Sequence, residues 1–545
     1  MLLFYYYYIC DTIYINKHNR LAMEVNRKFN VMAIYEVKKT SNGVVVVSDC
    51  LYHGEFMVDP AEVALWHHDT YEVVVPEGTT KLKPKAFKGC RQISKITIPD
   101  SVTSIGAEAF MDCRNLKEVV LPKGLKKIGR EVFRLCVELT SIVIPEGVTE
   151  IGWGAFWKCK NLQAINIPEG VKKIETRAFT RCEKLATITL PASVRSIKTN
   201  FTGCNELENI TIAEGNKFFE LRDNCLIEKK TNRLIYGVNV FDIPQNVTEI
   251  GCIRNREITS ITIPAGVTKI GCLNCENLST LIFAEGTTRI PGINLENCKA
   301  LSSVVIPDSV TEIEDWAFAF CENLTNVTIP EGVKVIGDYA FCKCTNLTSI
   351  VIPASVTKMG KEVFAGCLGL IRVVISEGVT EIGDYFLDYY TQFDSNGATM
   401  YEPIAGLTCI VIPASVTKIS GYAFRGCTSL TSIVVDADNK VYDSRENCNA
   451  IIETETNLLV KGCNKTIIPK SVTKIGCYAF SGCTGLTSVV IPEGVTEIEY
   501  DAFHRCTGLT SVVIPESLTS ISSRAFSGCP GLTSVVVPKS AKIRL

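Results

Sequence analysis

Apolar residues recur along this chain in three fixed groups. In PEGVTEIEYDAFHRCTGLTSVVI, from Pro492 to Ile514, Val495 and Ile498 come first, then Ala502 and Phe503, then an L-x-x-V-x-I segment. That last segment, which is Leu486, Val489 and Ile491 one period earlier, ends in alternation and is rich in β-branched residues, so it predicts a short strand. Proline follows it, lacking the N–H a ladder needs, and Gly or Ser two residues on completes a turn. V-x-x-I predicts a second inward pair on another face. The A-F pair sets a small residue beside a large one so that the ring can fill the centre of each coil. It recurs as Phe87, Phe110, Phe133, Phe156 and Phe179, again as Phe318, Phe341 and Phe364, and as Phe424, Phe480 and Phe526, with Val in place of Ala before Phe133 and Phe364, which predicts an internal aromatic spine.

The period is set by the prolines. Pro76, Pro99, Pro122, Pro145, Pro168 and Pro191 stand 23 apart, and the series returns at Pro307, Pro330 and Pro353 and from Pro469 to Pro538. Self-similarity at one period marks a solenoid, in which each unit buries its apolar face only against its neighbours. The expected architecture is a β-rich right-handed superhelix with a parallel sheet on one face and about 19 coils over residues 71–545. Residues 24–70 are expected to shield the N-terminal edge. Residues 1–23 are Tyr-rich without a basic region or cleavage site, and read as a leader outside the native fold or a misassigned start, with Met23 as the alternative.

The period fails in three places. Longer units stand near 213–244 and 436–469, each with two apolar runs around a polar turn, at Glu228–Asn232 and Glu453–Asn457. Coils starting at Pro264 and Ala284 follow their predecessors by only 20 residues and lack the A-F pair, which predicts a shortened arm. An insertion at 384–406 lengthens one coil to 37 residues and concentrates Tyr385, Tyr389, Tyr390, Phe393 and Tyr401.

Charge and composition remove several function classes. A net charge of −2 over 545 residues offers no basic field for nucleic acid, and no apolar run reaches the roughly 18 residues of a membrane span. Lys and Glu alternate at one repeat position (Lys127, Glu150, Lys173; Lys358, Glu381, Lys418; Lys474, Glu497), as expected for a solvated ladder of parallel strands. Fifteen of 25 cysteines, from Cys90 and Cys113 to Cys506 and Cys529, share another position; a buried ladder of free thiols is favoured there over disulfides or zinc. His67 and His68 are the one clustered histidine pair, and His504 is expected to face solvent. No nucleophile elbow, P-loop or dinucleotide motif occurs, so neither an enzyme nor a cofactor or metal site is expected.

The run P-x-x-V-T-x-I-G-x-x-A-F-x-x-C-x-x-L-T-S-V-V-I resembles the BspA-type (Treponema-type) leucine-rich repeats over about residues 71–540, as in EGVTEIGWGAFWKC and SVTKIGCYAFSGC. The resemblance implies a leucine-rich-repeat solenoid and a bacterial surface or secreted protein that binds host matrix or another cell. The lack of an export signal points instead to an intracellular protein–protein interaction scaffold. Both readings expect a monomer with a protein ligand. Two surfaces are candidates for it: the aromatic insertion, and an outward strand position carrying Val351, Val374, Val411, Val434, Val490, Val513 and Val536 in the C-terminal half. The bland reading of those valines is that β-branched residues favour strands anyway.

Overall fold

The computed structural model describes residues 72–75, 77–199, 201–388 and 402–544 with their side chains, and the backbone alone of 36–39, 44–48, 55–56, 71, 390–393 and 399–401. The expected leader with Met23, the histidines His67 and His68, and Tyr389 lie outside the described residues. The chain divides into two compact units, residues 1–220 and 221–545.

In the first unit Ser141–Val143, Ala164–Asn166, Thr187–Leu190 and Asn209–Ile212 stack in parallel, with Ile142 opposite Ile165 and Ile165 opposite Ile188. A second parallel sheet of two-residue strands, among them Lys127–Ile128, Glu150–Ile151 and Lys173–Ile174, carries the V-x-x-I group on another face. Between the two, Pro145 turns the chain, its carbonyl accepting from Val148 N at 3.0 Å. Upstream, Glu36–Lys39 and Val44–Ser48 form an antiparallel hairpin, and Val44–Ser48 then pairs in parallel with Tyr71–Val74. The second unit repeats the scheme, for example where Ser349–Ile352 pairs with Arg372–Ile375 and Glu312–Ile313 with Val335–Ile336. About 20 turns with a spacing of about 23 residues result, nearly without helix.

The arm closing each regular coil is a run of turns, and its backbone explains its composition. Two positions per arm take positive φ, as Glu131 (52°) and Leu135 (64°), or Arg177 (59°) and Arg181 (59°). Among the described residues no β-branched residue takes positive φ, since a branched Cβ is most costly in that region. The spine forms as expected: Phe87, Phe110, Phe133, Phe156 and Phe179 stack with centroids 5.3 to 5.6 Å apart, and Phe480 on Phe503 at 4.8 Å. Phe201 and Phe386 join it, although neither belongs to an A-F pair.

The ladder cysteines are buried outside any disulfide, and most donate a hydrogen bond. The thiol of Cys136 donates to the carbonyl of Phe110 at 3.1 Å; Cys159 does so to Phe133, Cys367 to Phe341 and Cys529 to Phe503. Sulfur suits the place because its weak donor costs little to bury when a carbonyl receives it. Burial pushes the thiols of Cys136 and Cys159 well up, and those of Cys204 and Cys298 to about 12.

The irregular units resolve into defined structures. Cys225–Glu228 pairs antiparallel with Arg233–Val238, and Ala450–Glu453 with Leu458–Gly462. A buried asparagine prepares each hairpin. Asn216 donates to the carbonyls of Pro191 and Val194 and accepts from Phe218 N and Phe219 N; Asn439 does the same with Pro413, Val416, Val441 and Tyr442. In the short coils the arm is replaced rather than merely trimmed. Glu249–Arg254 and Lys269–Asn274 are six-residue strands in register, and Cys252 is disulfide-bonded to Cys272, a pair the repeat pattern did not single out. The insertion folds as an antiparallel hairpin, Tyr390–Phe393 with Thr399–Glu402, while Glu381–Ile382 pairs with Lys418–Ile419 across it.

Candidate functional site

The outward valines project from the longer-stranded sheet of the second unit. Alternation puts Ile350 and Ile352 in the core and Val351 in solvent, and the same rule exposes Val411, Val434, Val490 and Val513. Parallel pairing aligns them coil on coil: Val351 opposite Val374, Val411 opposite Val434, Val490 opposite Val513. Two members depart from the expectation. Val374 is half-buried, and Val536 is 84% exposed but lies outside any strand. One member was missed. Ile467, 78% exposed and like Val536 outside any strand, stands two residues before Pro469, as Val490 stands before Pro492. Counting back from the proline would have found it; looking for valine did not. With Val305 and Thr328 the position is aliphatic in nine of ten successive coils, and the neighbouring outward position is mostly Ser. In the first unit it reads Thr97, Val120, Val143, Asn166, Thr189 and Thr211, with Thr189 and Thr211 hydroxyls 2.8 Å apart.

Of the five aromatic candidates in the insertion, Tyr385 is the one whose side chain is described. Its ring meets Tyr422 at 5.1 Å and lies under the Arg425 guanidinium at 4.9 Å; Tyr422 in turn meets Tyr478 at 5.2 Å. Arg425 forms a two-pronged pair with Asp388, at 3.0 and 2.7 Å, and Asp388 is buried. Tyr385 is therefore built into a column of arm residues rather than held out on a loop. Tyr390, Phe393 and Tyr401 lie on the hairpin strands, where only the backbone is described.

His504 corrects the solvent-facing expectation. Its side chain is mostly buried because its position in the arm packs toward the preceding coil, against the Tyr478 ring and 3.7 Å from Asp501. Burial lowers its pKa against the opposing pull of Asp501. The charge ladder appears as Lys418 to Glu381 at 2.6 Å and Lys474 to Glu497 at 3.1 Å. An open cleft of about 730 Å³ passes Arg289, Glu312, Glu314, Asp315, Asp338 and Lys358. Several of its charges are engaged with one another or with backbone: Arg289 pairs with Glu312 and Glu314, and Asp315 accepts from Asp338 N. Among the described residues no group of three His, Cys, Asp or Glu could hold a metal ion, and no helix is long and apolar enough to cross a membrane.

A family model for the BspA type leucine rich repeat region matches residues 66–163, 150–273, 271–394, 396–454 and 460–544. Among solved structures the chain is similar to a leucine rich cell surface protein from Faecalibacterium prausnitzii A2-165, at 25% identity over 76% of this chain and 95% of that one, with a TM-score of 0.41. It is also similar to a leucine-rich repeat protein from Bacteroides ovatus, at 24% identity over 94% and 97% with a TM-score of 0.28. The pneumococcal vaccine antigen PcpA follows at 18% identity over 74% and 92%, with a TM-score of 0.43. No curated protein matches.

Proposed function

The chain belongs to the BspA-type leucine-rich-repeat family, and from that premise we propose that it is a non-enzymatic scaffold that binds a protein through the aliphatic stripe of its second unit, in an adhesin-like attachment to host matrix or another cell. The observation that carries this reading is the exposure of Val351, Val411, Val434, Ile467, Val490 and Val513 at one repeat position of successive coils. Scattered apolar side chains are ordinary, but a continuous row is a feature of interaction surfaces. Serines flank Val351, Val434, Val490 and Val513, so desolvating the row there buries no charge. The hairpin at 390–402 is the second contact in this reading.

The test is binding of the full chain to immobilised host matrix proteins, with Val490→Lys plus Val513→Lys as the variant. Both positions are exposed, so the fold survives and the affinity falls at least about tenfold. Unchanged affinity overturns the stripe as the contact. Unchanged binding after deletion of residues 385–403 removes the insertion from it. The free-thiol ladder favours a second reading, an interaction scaffold in a reducing compartment. Cell fractionation separates the two, since a strictly cytoplasmic chain sinks the adhesin.

A further inference from the structure

The first unit holds a cluster that the stripe does not use. Three successive arms, IGREVFRLC, IGWGAFWKC and IETRAFTRC, place two tryptophans between arginines. Trp153 and Trp157 meet edge to face at 5.8 Å. Arg134 lies over the Trp157 ring at 4.2 Å and Arg177 at 5.2 Å, with Lys158 at 6.0 Å; Arg130 lies over Trp153 at 4.9 Å and Arg177 at 5.7 Å. Among the described residues one carboxylate pairs with any of these four cations, and it reaches two of them. Glu131, buried beneath them, pairs with Arg134 and, at 3.5 Å, with Arg130. Neither Arg177 nor Lys158 has a carboxylate within ion-pair distance among the described residues, and Arg177 is exposed.

We propose that this cluster is a docking site for a short acidic segment of a protein partner. A guanidinium stacked on an indole uses its face there and leaves its in-plane N–H donors for a carboxylate, which it can hold in two-pronged fashion. The stacking also fixes the side chain in advance, so less freedom is lost on binding. Two coil steps span roughly 10 Å, about three residues of extended chain, which suits two or three carboxylates. A long polyanion lying along the stack meets carboxylates at once: Glu108 and Asp112 stand in the preceding coil, already held by Lys88, Arg91 and Arg114. A neutral sugar finds the ring faces covered by guanidinium groups. The site rests on the reading of the chain as a protein-binding scaffold, but not on the stripe.

The experiment titrates the full chain into a fluorescein-labelled octapeptide of four glutamates around a phenylalanine, and into a counterpart with four glutamines, following anisotropy. The glutamate peptide binds, and its affinity drops at least about tenfold in Arg177→Gln plus Lys158→Gln and falls between 50 and 200 mM salt, as screening of exposed charge requires. Neither replaced residue has an ion-pair partner among the described residues, so folding is retained, and an unchanged far-ultraviolet circular dichroism spectrum and thermal midpoint of the free variant check this. Equal binding of the glutamine peptide, or full affinity in the double variant, overturns the site. Capture of heparin with no binding of the acidic peptide overturns it in favour of a polyanionic glycan. Val490→Lys plus Val513→Lys leaves peptide binding unchanged, so failure of the stripe and failure of this site are read separately; a loss there overturns the assignment to the arginine–tryptophan cluster.

Discussion

The coils from Phe87 to Phe201 and the short coils around Cys252 and Cys272 meet one requirement in two ways. Each coil must fill its centre and return the chain to the next level. The long coils do so with a turn-built arm, two left-handed backbone positions and a phenyl ring stacked on its neighbours. The short coils, with three residues fewer, continue as six-residue strands, fill the centre with Ile253 and Leu273 and join adjacent levels through a disulfide. Isoleucine at the apex is compatible with strand and poorly compatible with positive φ, so the residue type and the backbone change together. What the solenoid conserves is the 23- or 20-residue return to register, while the arm is exchangeable.

The largest effect that sharpens this contrast is loss of a spine ring. Phe133→Ala removes a side chain stacked on both sides, at 5.3 and 5.5 Å, and is expected to cost about 3–5 kcal/mol in denaturant unfolding. Ile253→Val is expected to cost about 0.5–1.5 kcal/mol. If the two prove equal, the spine is no more than ordinary core.

Next comes the disulfide. Cys252→Ser plus Cys272→Ser opens a link between residues 20 apart and is expected to destabilise the short coils by about 2–4 kcal/mol. Hydrogen exchange over 249–274 should rise while that of 87–201 stays as it was; a uniform rise, or none, breaks the comparison.

The smallest effect concerns the thiol ladder. Cys136→Ala loses the bond to the Phe110 carbonyl and is expected to cost on the order of 1 kcal/mol. Because burial raises the thiols of Cys136 and Cys159 and holds Cys204 at about 12, iodoacetamide at pH 8 is expected to mark the exposed Cys409 and spare these three in the native chain. Peptide mapping that finds Cys136 or Cys159 alkylated without unfolding contradicts the buried, hydrogen-bonded assignment.

Most of the fold was legible because a solenoid repeats its physics. Strand, turn, second inward pair and aromatic spine each follow from residue type and interval, and the register follows from the period itself: Ile142 pairs with Ile165 because both close the same motif. The stripe was legible through alternation, except where Ile467 broke the search for valine. The arms were less so. Nothing in the interval between Phe and Cys announces that His504 packs inward against Tyr478, or that Tyr385 belongs to a column with Tyr422 and Arg425. Those outcomes depend on which side chains successive coils bring level, and those are contacts between residues 26, 37 or 40 apart.

By itself, then, the sequence determined the period, the identity of the inward positions and the family, since each rests on intervals along one chain and on hydrophobic burial that any neighbour of the same type can satisfy. Tertiary structure decided the pairing of Cys252 with Cys272, the thiol-to-carbonyl bonds of the ladder and the arginine–tryptophan cluster. Each of these needs particular atoms to meet across the roughly 4.8 Å between stacked strands. Direction and distance at that scale come only from the assembled coils.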